Sequence, residues 1–342
     1  MKIIPEISLT ILMLISTVMN INPRSTHRPQ DPQMPSIMTH WKDDLDHCYY
    51  LHSPFLEGYP FFEIFDKKHF YDHLLPQGPI SFRYDPEKLV DSSELTAAID
   101  TLIKEIREKK SSYSHFTILK DSNFSRRRQS GLLIVKCKEY PFVVKLFMET
   151  PDMFVKPYKK GFCPMVFFFM GGGVNRHLSG FTRIKNAETL KGIIDDNPYW
   201  KTRVQMPRKW FWIADNSRWI TISGANIGTY KQVSIDIPGT YCIIADAIDI
   251  ERTMTLVNPV DRIESMALCN TAKFLVDPHI DNFTIERNTK KIVIVDTEHF
   301  PTIVGFKKDV GEYTSQAAWY IDLSKKAVGD MFFRDKSLWH AW

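Results

Sequence analysis

Paired cysteines, long hydrophobic runs and a dominant sign of charge are what this sequence of 342 residues has least of. Its five cysteines (Cys48, Cys137, Cys163, Cys242, Cys269) are odd in number, widely spaced and free of any C-x-x-C. They read as small core residues and not as a disulfide or zinc framework. No segment after residue 20 reaches eighteen consecutive apolar residues, which argues against a helical membrane span there. Forty-four Lys+Arg against forty Asp+Glu give +4, too mild a surplus to predict a nucleic-acid partner. That balance still leaves room for an acidic ligand at a local basic site. Internal repeats are absent, and so is any low-complexity tract beyond one Pro-rich stretch. Gly171, Gly172 and Gly173 lack a following G-K-[ST], which excludes a P-loop and leaves a hinge before a helix.

The composition, 44% hydrophobic, 13% aromatic and 25% charged, supports real cores in two domains or one two-lobed domain. It excludes wholesale disorder, collagen-like repeats and a coiled coil. Residues 1–20 read as an address. Lys2 precedes the apolar run 7–19 (ISLTILMLISTVM), too short for a span of about twenty residues but suited to a secretory signal. Export is therefore expected, with an N-terminal membrane anchor or a buried helix as the alternatives. Residues 21–42, with Pro23, Pro29, Pro32 and Pro35, read as a flexible linker.

Residues 43–110 hold an aromatic-rich packed extension and then a helix, SELTAAIDTLIKEIREKK. Ser92 or Ser93 is its expected cap, and Leu95, Ala98, Ile99, Leu102 and Ile106 fall on one face. Residues 111–250 are strand-rich: HFTILKD, LLIVKCKEYPFVVKLFM with a turn at Tyr140 and Pro141, MVFFFM, KWFWIAD, WITISG and TYCIIADAIDI. A short helix is expected around AETLKGII. Residues 251–342 start with a helix candidate, VDRIESMALCNTAKFLV, and the final forty residues read as alternating short elements. Strands in the middle and helices on the flanks predict an α+β fold in two lobes.

The chemistry concentrates between Asp277 and Glu298. Asp277 precedes Asn282 by five residues. FTIE then reads as a strand, RNTK as a turn, and KIVIV as a second strand ending at Asp296. A hairpin therefore joins Asn282 to Asp296, so that groups distant in sequence meet at one end of it. Phosphoryl transfer needs an acid to orient the attacking hydroxyl and hard oxygen ligands to hold Mg²⁺ against the phosphates. Upstream, Lys145 closes the apolar run PFVVK, and its ammonium can reach triphosphate oxygens.

This order of loop, strand with lysine, helix, Asp-x4-Asn, hairpin and Asp resembles the protein-kinase-like superfamily. The details are closest to the small-molecule kinases of the aminoglycoside and choline kinase type. Their catalytic loop, H-x-D-x-H-x-x-N, is matched at Asp277, His279 and Asn282, and their metal-binding Asp is often followed two residues on by Glu, as in Asp296-Thr297-Glu298. The resemblance covers residues 112–305 in order and is specific over about twenty-five of them. It implies a two-lobed fold with a β-rich N-lobe at 111–250 and a short helical C-lobe at 251–342, with ATP and Mg²⁺ as cofactors. Asp277 would be the catalytic acid/base, Asn282 and Asp296 the Mg²⁺ ligands and Lys145 the phosphate contact. Glu188 would pair with Lys145, with Glu149 as the alternative. Arg127, in the run Arg126-Arg127-Arg128, would neutralise phosphate, and backbone from Ala245 to Ala247 would bond adenine.

The sequence departs from that pattern at Leu275, which replaces the first His of the loop, and after Asp296, where the DFG glycine is absent. The loop before Lys145 has the single glycine Gly131, and no A-P-E follows. A protein substrate is thereby disfavoured. The expected acceptor is a hydroxyl of a small molecule, sugar or lipid head group. The alternatives are a pseudokinase serving as a binding module and a secreted interaction protein with no nucleotide site, whose partner surface is the segment from Trp41 to Tyr71.

Overall fold

The computed structural model describes residues 48–52, 67–149, 173–215, 217, 219–225, 232–300 and 312–333. All of them fall within the unit Ile37–Trp342. The run 7–19, the Pro-rich stretch 21–42, most of the aromatic-rich extension and MVFFFM lie outside the described residues. Among the described residues no helix is long and apolar enough to cross a membrane.

Strand β1 (Cys48–His52) and the short helix α1 (Lys67–Asp72) come first, then an antiparallel pair, β2 (Pro79–Ser81) and β3 (Leu89–Asp91). Helix α2 (Ser92–Arg107) follows where the periodicity predicts it. Its cap is Asp91 and neither serine: Asp91 Oδ1 accepts from Ser93 N at 2.9 Å and from Ser93 Oγ at 2.6 Å. A carboxylate also complements the positive end of the helix, which explains the choice.

Strands β4 (Phe116–Ser125), β5 (Ser130–Cys137) and β6 (Phe142–Met148) form a meander, with Tyr140 and Pro141 in the predicted turn. Helices α3 (Gly173–Gly180), α4 (Arg183–Asp195) and α5 (Pro198–Lys201) come before β7 (Val204–Gln205), β8 (Lys209–Ile213), β9 (Trp219–Ala225), β10 (Gln232–Pro238) and β11 (Thr240–Asp246). The chain continues through β12 (Ile250–Thr253), α6 (Pro259–Thr271), β13 (Phe283–Glu286) and β14 (Ile292–Ile294) to α7 (Gln316–Phe333). The last element corrects the expectation of alternating short pieces. It is one helix of 18 residues, anchored by Trp319 and Leu323, four positions apart and each 1% exposed.

The architecture is α+β with mainly antiparallel sheets. The largest sheet has the order β4-β5-β6-β11-β8; the others are β1-β9-β10, β12-β13-β14-β7 and the β2-β3 pair. Alternation along the strands gives the large sheet two different faces. On one, Leu133, Val135, Phe142, Val144, Leu146, Trp212, Cys242 and Ile244 share a core with the apolar stripe of α2. The other face presents aromatics to α3. Tyr241 stacks on Phe147 with ring centroids 4.7 Å apart and on Phe181 at 3.9 Å. Gly180 is needed there, because a Cβ on it would lie 2.0 Å from Tyr241 Oη and 2.8 Å from a Phe147 ring carbon.

A second core gathers Leu190 and Ile194 of α4, Trp200 of α5, Leu268 of α6, Phe274, Phe283, Ile292, Ile294 and Trp319. Buried charge ties the two cores together. Arg83 Nε donates to Glu286 Oε1 at 3.2 Å and Tyr84 Oη to the same oxygen at 2.5 Å; at the β8–β11 pair of the large sheet, Arg208 holds Asp246 through Nη2–Oδ1 at 2.7 Å. Arg83 also lies 3.8 Å from Asp246. Cys137, Cys242 and Cys269 are free and buried, as expected of core thiols.

Candidate functional site

The alternation of β6 buries Val144 and Leu146 against α2 and so turns Lys145 on to the opposite face of the sheet. The buried strand β14 ends two residues before Asp296. Lys145 Nζ and Asp296 Oδ2 are 3.0 Å apart, well inside the ~10 Å that one triphosphate bridges. The predicted hairpin is β13–β14, with Phe283 opposite Ile294, and Val295 N donates to Asn282 O at 3.1 Å. Asn282 and Asp296 therefore sit at the same end of it.

Lys273 and Phe274 carry the chain out of α6 with φ of 51° and 52°, a left-handed pair that redirects the backbone into the loop holding Asp277. Asp277 Oδ1 accepts from His279 N at 3.1 Å, and Asn282 Nδ2 donates to Asp277 O at 3.0 Å. All four residues read from the sequence as a set thus lie on two adjoining segments, the loop and the hairpin, and on the strand facing them.

Several participants were not singled out from the sequence. Arg183, at the start of α4, is buried; its Nη1 donates to Asp296 Oδ1 and its Nη2 lies 2.7 Å from Glu298 Oε1. Ser179 Oγ donates to the same Glu298 oxygen. Lys209, on the same sheet face as Lys145, donates to Thr297 Oγ1 at 2.6 Å, and that hydroxyl donates on to Arg183 O at 2.6 Å. Asn186 Nδ2 bridges Leu275 O at 2.8 Å and Thr297 O at 3.0 Å, which fastens the loop to the 296–298 segment.

Three cationic side chains, Lys145, Arg183 and Lys209, thus face two carboxylates, Asp296 and Glu298. Burial pushes the Asp296 carboxyl up, but Arg183, Lys145 and Lys209 outweigh it and hold it well below the ordinary range. Burial, with Arg183 beside it, pushes the Lys145 ammonium down, and burial together with Lys145 pushes Lys209 down further. Asp277 goes the other way: burial, reinforced by Glu298 and Asp296, raises it to about 6.

Other expectations are corrected. Glu188 does not meet Lys145; it bonds His69 Nε2 at 2.7 Å and His73 Nε2 at 2.8 Å, and Lys145 takes Asp296 as its partner. The α4 side chain that reaches Asp296 is the cation Arg183. Arg127 is exposed in the β4–β5 turn and is not drawn into this cluster. Ala245 lies in β11, opposite Val143 on one side and Lys209 on the other, and Ala247 N donates to Pro141 O at 2.8 Å. That N–H is committed to the protein and does not face adenine.

A cavity of about 310 Å³ opens beside the cluster, between the β4–β5 hairpin and α3. Asn123, Gly131, Phe147, Glu149, Arg128 and Arg176 are among its lining residues, and Phe147 is two residues from Lys145 on the same sheet face. Gly131 has φ +112°, and a Cβ there would lie 2.1 Å from Asn123 O, so the single glycine of this hairpin is a steric requirement. Burial raises the Glu149 carboxyl to about 7.

For a metal, Asn282 and Asp296 supply hard oxygen donors at one end of one hairpin, the type Mg²⁺ takes. Asp296 is ionised and already draws a cation to each oxygen, so the set fits a divalent ion that replaces one of them. Comparison with family models, curated proteins and solved structures finds no match to this chain.

Proposed function

We propose that this chain is a kinase-like, ATP-dependent phosphotransferase acting on a hydroxyl of a small molecule, sugar or lipid head group. The observation that carries the reading is the Lys145–Asp296 pair at 3.0 Å, formed between a sheet strand and the end of a distant hairpin. Further support comes from the position of Lys145 on the third strand of the β4-β5-β6-β11-β8 sheet, since the nucleotide-binding lysine of protein kinases lies on their third strand. The adjoining cavity has Arg128 and Arg176 in its lining, a suitable setting for phosphate oxygens.

In this reading Lys145 and Arg183 grip the phosphates, and Lys209 supports them through Thr297. Asp277, raised to about 6, accepts the proton of the attacking hydroxyl and is mostly ionised at neutral pH. Asn282 and Asp296 would hold Mg²⁺, which neutralises charge on the transferring phosphoryl group. Position and charge, and no covalent step on the protein, supply the rate. A two-lobed arrangement, with the large sheet in one lobe and α6, the β13–β14 hairpin and α7 in the other, belongs to the same proposal. Wild-type protein should turn over ATP in the presence of Mg²⁺, and Asp296→Ala should abolish it; equal turnover by that variant removes the reading.

One observation favours a second reading, a nucleotide-binding pseudokinase. Arg183 is a buried cation bonded to the carboxylate a metal would need. Detection of phosphorylated product separates the two: nucleotide binding with no product over a broad panel of hydroxyl acceptors selects the pseudokinase.

A further inference from the structure

Away from the Lys145–Asp296 cluster, helix α1 and helix α4 meet through two histidines and one glutamate. His69 on α1 and His73, the residue just after that helix, are four positions apart, and their rings stack with centroids 3.9 Å apart. His69 Nε2 lies 2.7 Å from Glu188 Oε2 and His73 Nε2 lies 2.8 Å from Glu188 Oε1. One ligand atom from each residue falls within 4.8 Å of the other two.

The bonding of His73 turns this contact into a question of charge. Its Nδ1–H donates to His69 O at 2.7 Å, which fixes the proton on that nitrogen. A neutral His73 therefore presents the Nε2 lone pair to a carboxylate oxygen at 2.8 Å, two acceptors in contact. A proton between the two atoms, or a metal ion coordinated by both, makes that arrangement favourable. One divalent ion satisfies both imidazoles and the carboxylate at once. A backbone carbonyl that orients a ligating imidazole is also the usual outer support of a metal-bound histidine.

We propose that His69, His73 and Glu188 form a binding site for a borderline divalent transition metal, Zn²⁺ foremost. Two imidazoles and one carboxylate with a fourth position open to water are a known zinc donor set, and nitrogen-rich sites take Zn²⁺, Co²⁺ or Ni²⁺ in preference to Mg²⁺. Zn–N and Zn–O bonds of about 2.0–2.2 Å at a tetrahedral angle need donor separations of roughly 3.3 Å, a small opening of the present contacts. The ion would pin α1 to α4 at Glu188, five residues after Arg183, and so fix the helix that delivers this guanidinium to Asp296. The site stands on its own geometry, whatever reaction the neighbouring cluster performs.

The test is titration of the purified, metal-free full chain with Co²⁺ alone, followed by displacement with Zn²⁺. One equivalent of Co²⁺ per chain with an intense tetrahedral visible spectrum is expected, with affinity falling about 100-fold or more in His73→Ala and in Glu188→Gln. Because these side chains are not core residues, both variants should keep the metal-free melting temperature and near-UV circular dichroism of the wild type, and His69→Asn serves as a third variant. Absence of binding at micromolar Co²⁺, or equal affinity in wild type and all three variants, overturns the proposal.

Discussion

The guanidinium of Arg183, wholly buried at the start of α4, is bonded to the carboxylate of Asp296 just beyond β14. Two consequences follow, one for stability and one for ligand binding. Removing one partner of a buried pair strands the other in a medium of low polarity. Asp296→Asn should therefore destabilise the chain by about 3–5 kcal/mol. Urea unfolding checks this, and the double variant Asp296→Asn with Arg183→Met should recover part of the loss, because it removes both charges.

Asp277 carries the opposite signature. Its carboxyl is raised from 3.8 to about 6, so the folded state binds the proton more tightly than the unfolded chain does. Below about pH 4 both states are protonated and nothing is lost. Between pH 4 and 6 a destabilising contribution builds, and above pH 6 it is complete. Asp277→Asn should then raise stability at pH 7.5 by up to about 3 kcal/mol, with the gain vanishing near pH 4. The same variant should abolish phosphoryl transfer, and the wild-type rate should fall on the acid side with a midpoint near pH 6. Unfolding curves and a pH–rate profile read the two effects separately.

Glu149 lines the cavity and is raised to about 7 by burial. Above pH 7 its negative charge opposes an anionic ligand there. Glu149→Gln should tighten nucleotide binding about three- to tenfold at pH 8 and change it little at pH 6, where the native carboxyl is already neutral. Isothermal titration calorimetry with ATP at the two pH values tests the difference.

Gly180 to Ala gives a prediction whose sign decides between two accounts. On an exposed helix the change would stabilise by up to about 1 kcal/mol. Here the new methyl meets Tyr241 Oη at 2.0 Å. A loss of about 1–3 kcal/mol is expected instead, with disturbance of the Phe147–Tyr241 stack visible in near-UV circular dichroism.

Much of this site is legible in the linear chain because hairpins are local. FTIE, RNTK and KIVIV announce β13, its turn and β14, and so place Asn282 and Asp296 at one end of the hairpin before any coordinate is known. Strand alternation in PFVVK likewise puts Lys145 on the face opposite Val144. Arg183 is another matter. Polar residues on a helix, such as Arg183 and Asn186, ordinarily mark the solvent side, and only the tertiary packing of α4 against the loop turns them inward. The resemblance offered Glu188 as the partner of Lys145, whereas that side chain meets His69 and His73. Lys209 carried a weak signal: in KWFWIAD it keeps phase with Phe211, which is fully buried, so its ammonium had to lie on an interior face. Helix α7 escaped notice because its apolar residues, eleven of eighteen, are not gathered into one clean stripe.

The charged seam of Arg83, Tyr84, Arg208, Asp246 and Glu286 governs how the two cores can move. Oily surfaces slide past one another by degrees, but directional bonds to Glu286 and Asp246, both almost sealed from water, cannot be half made. A small rotation would part Glu286 from Arg83 and Tyr84, so the joint behaves as a latch. Breathing at this seam is therefore a discrete event, and salt, which weakens the latch while sparing the cores, is the lever that should set its frequency.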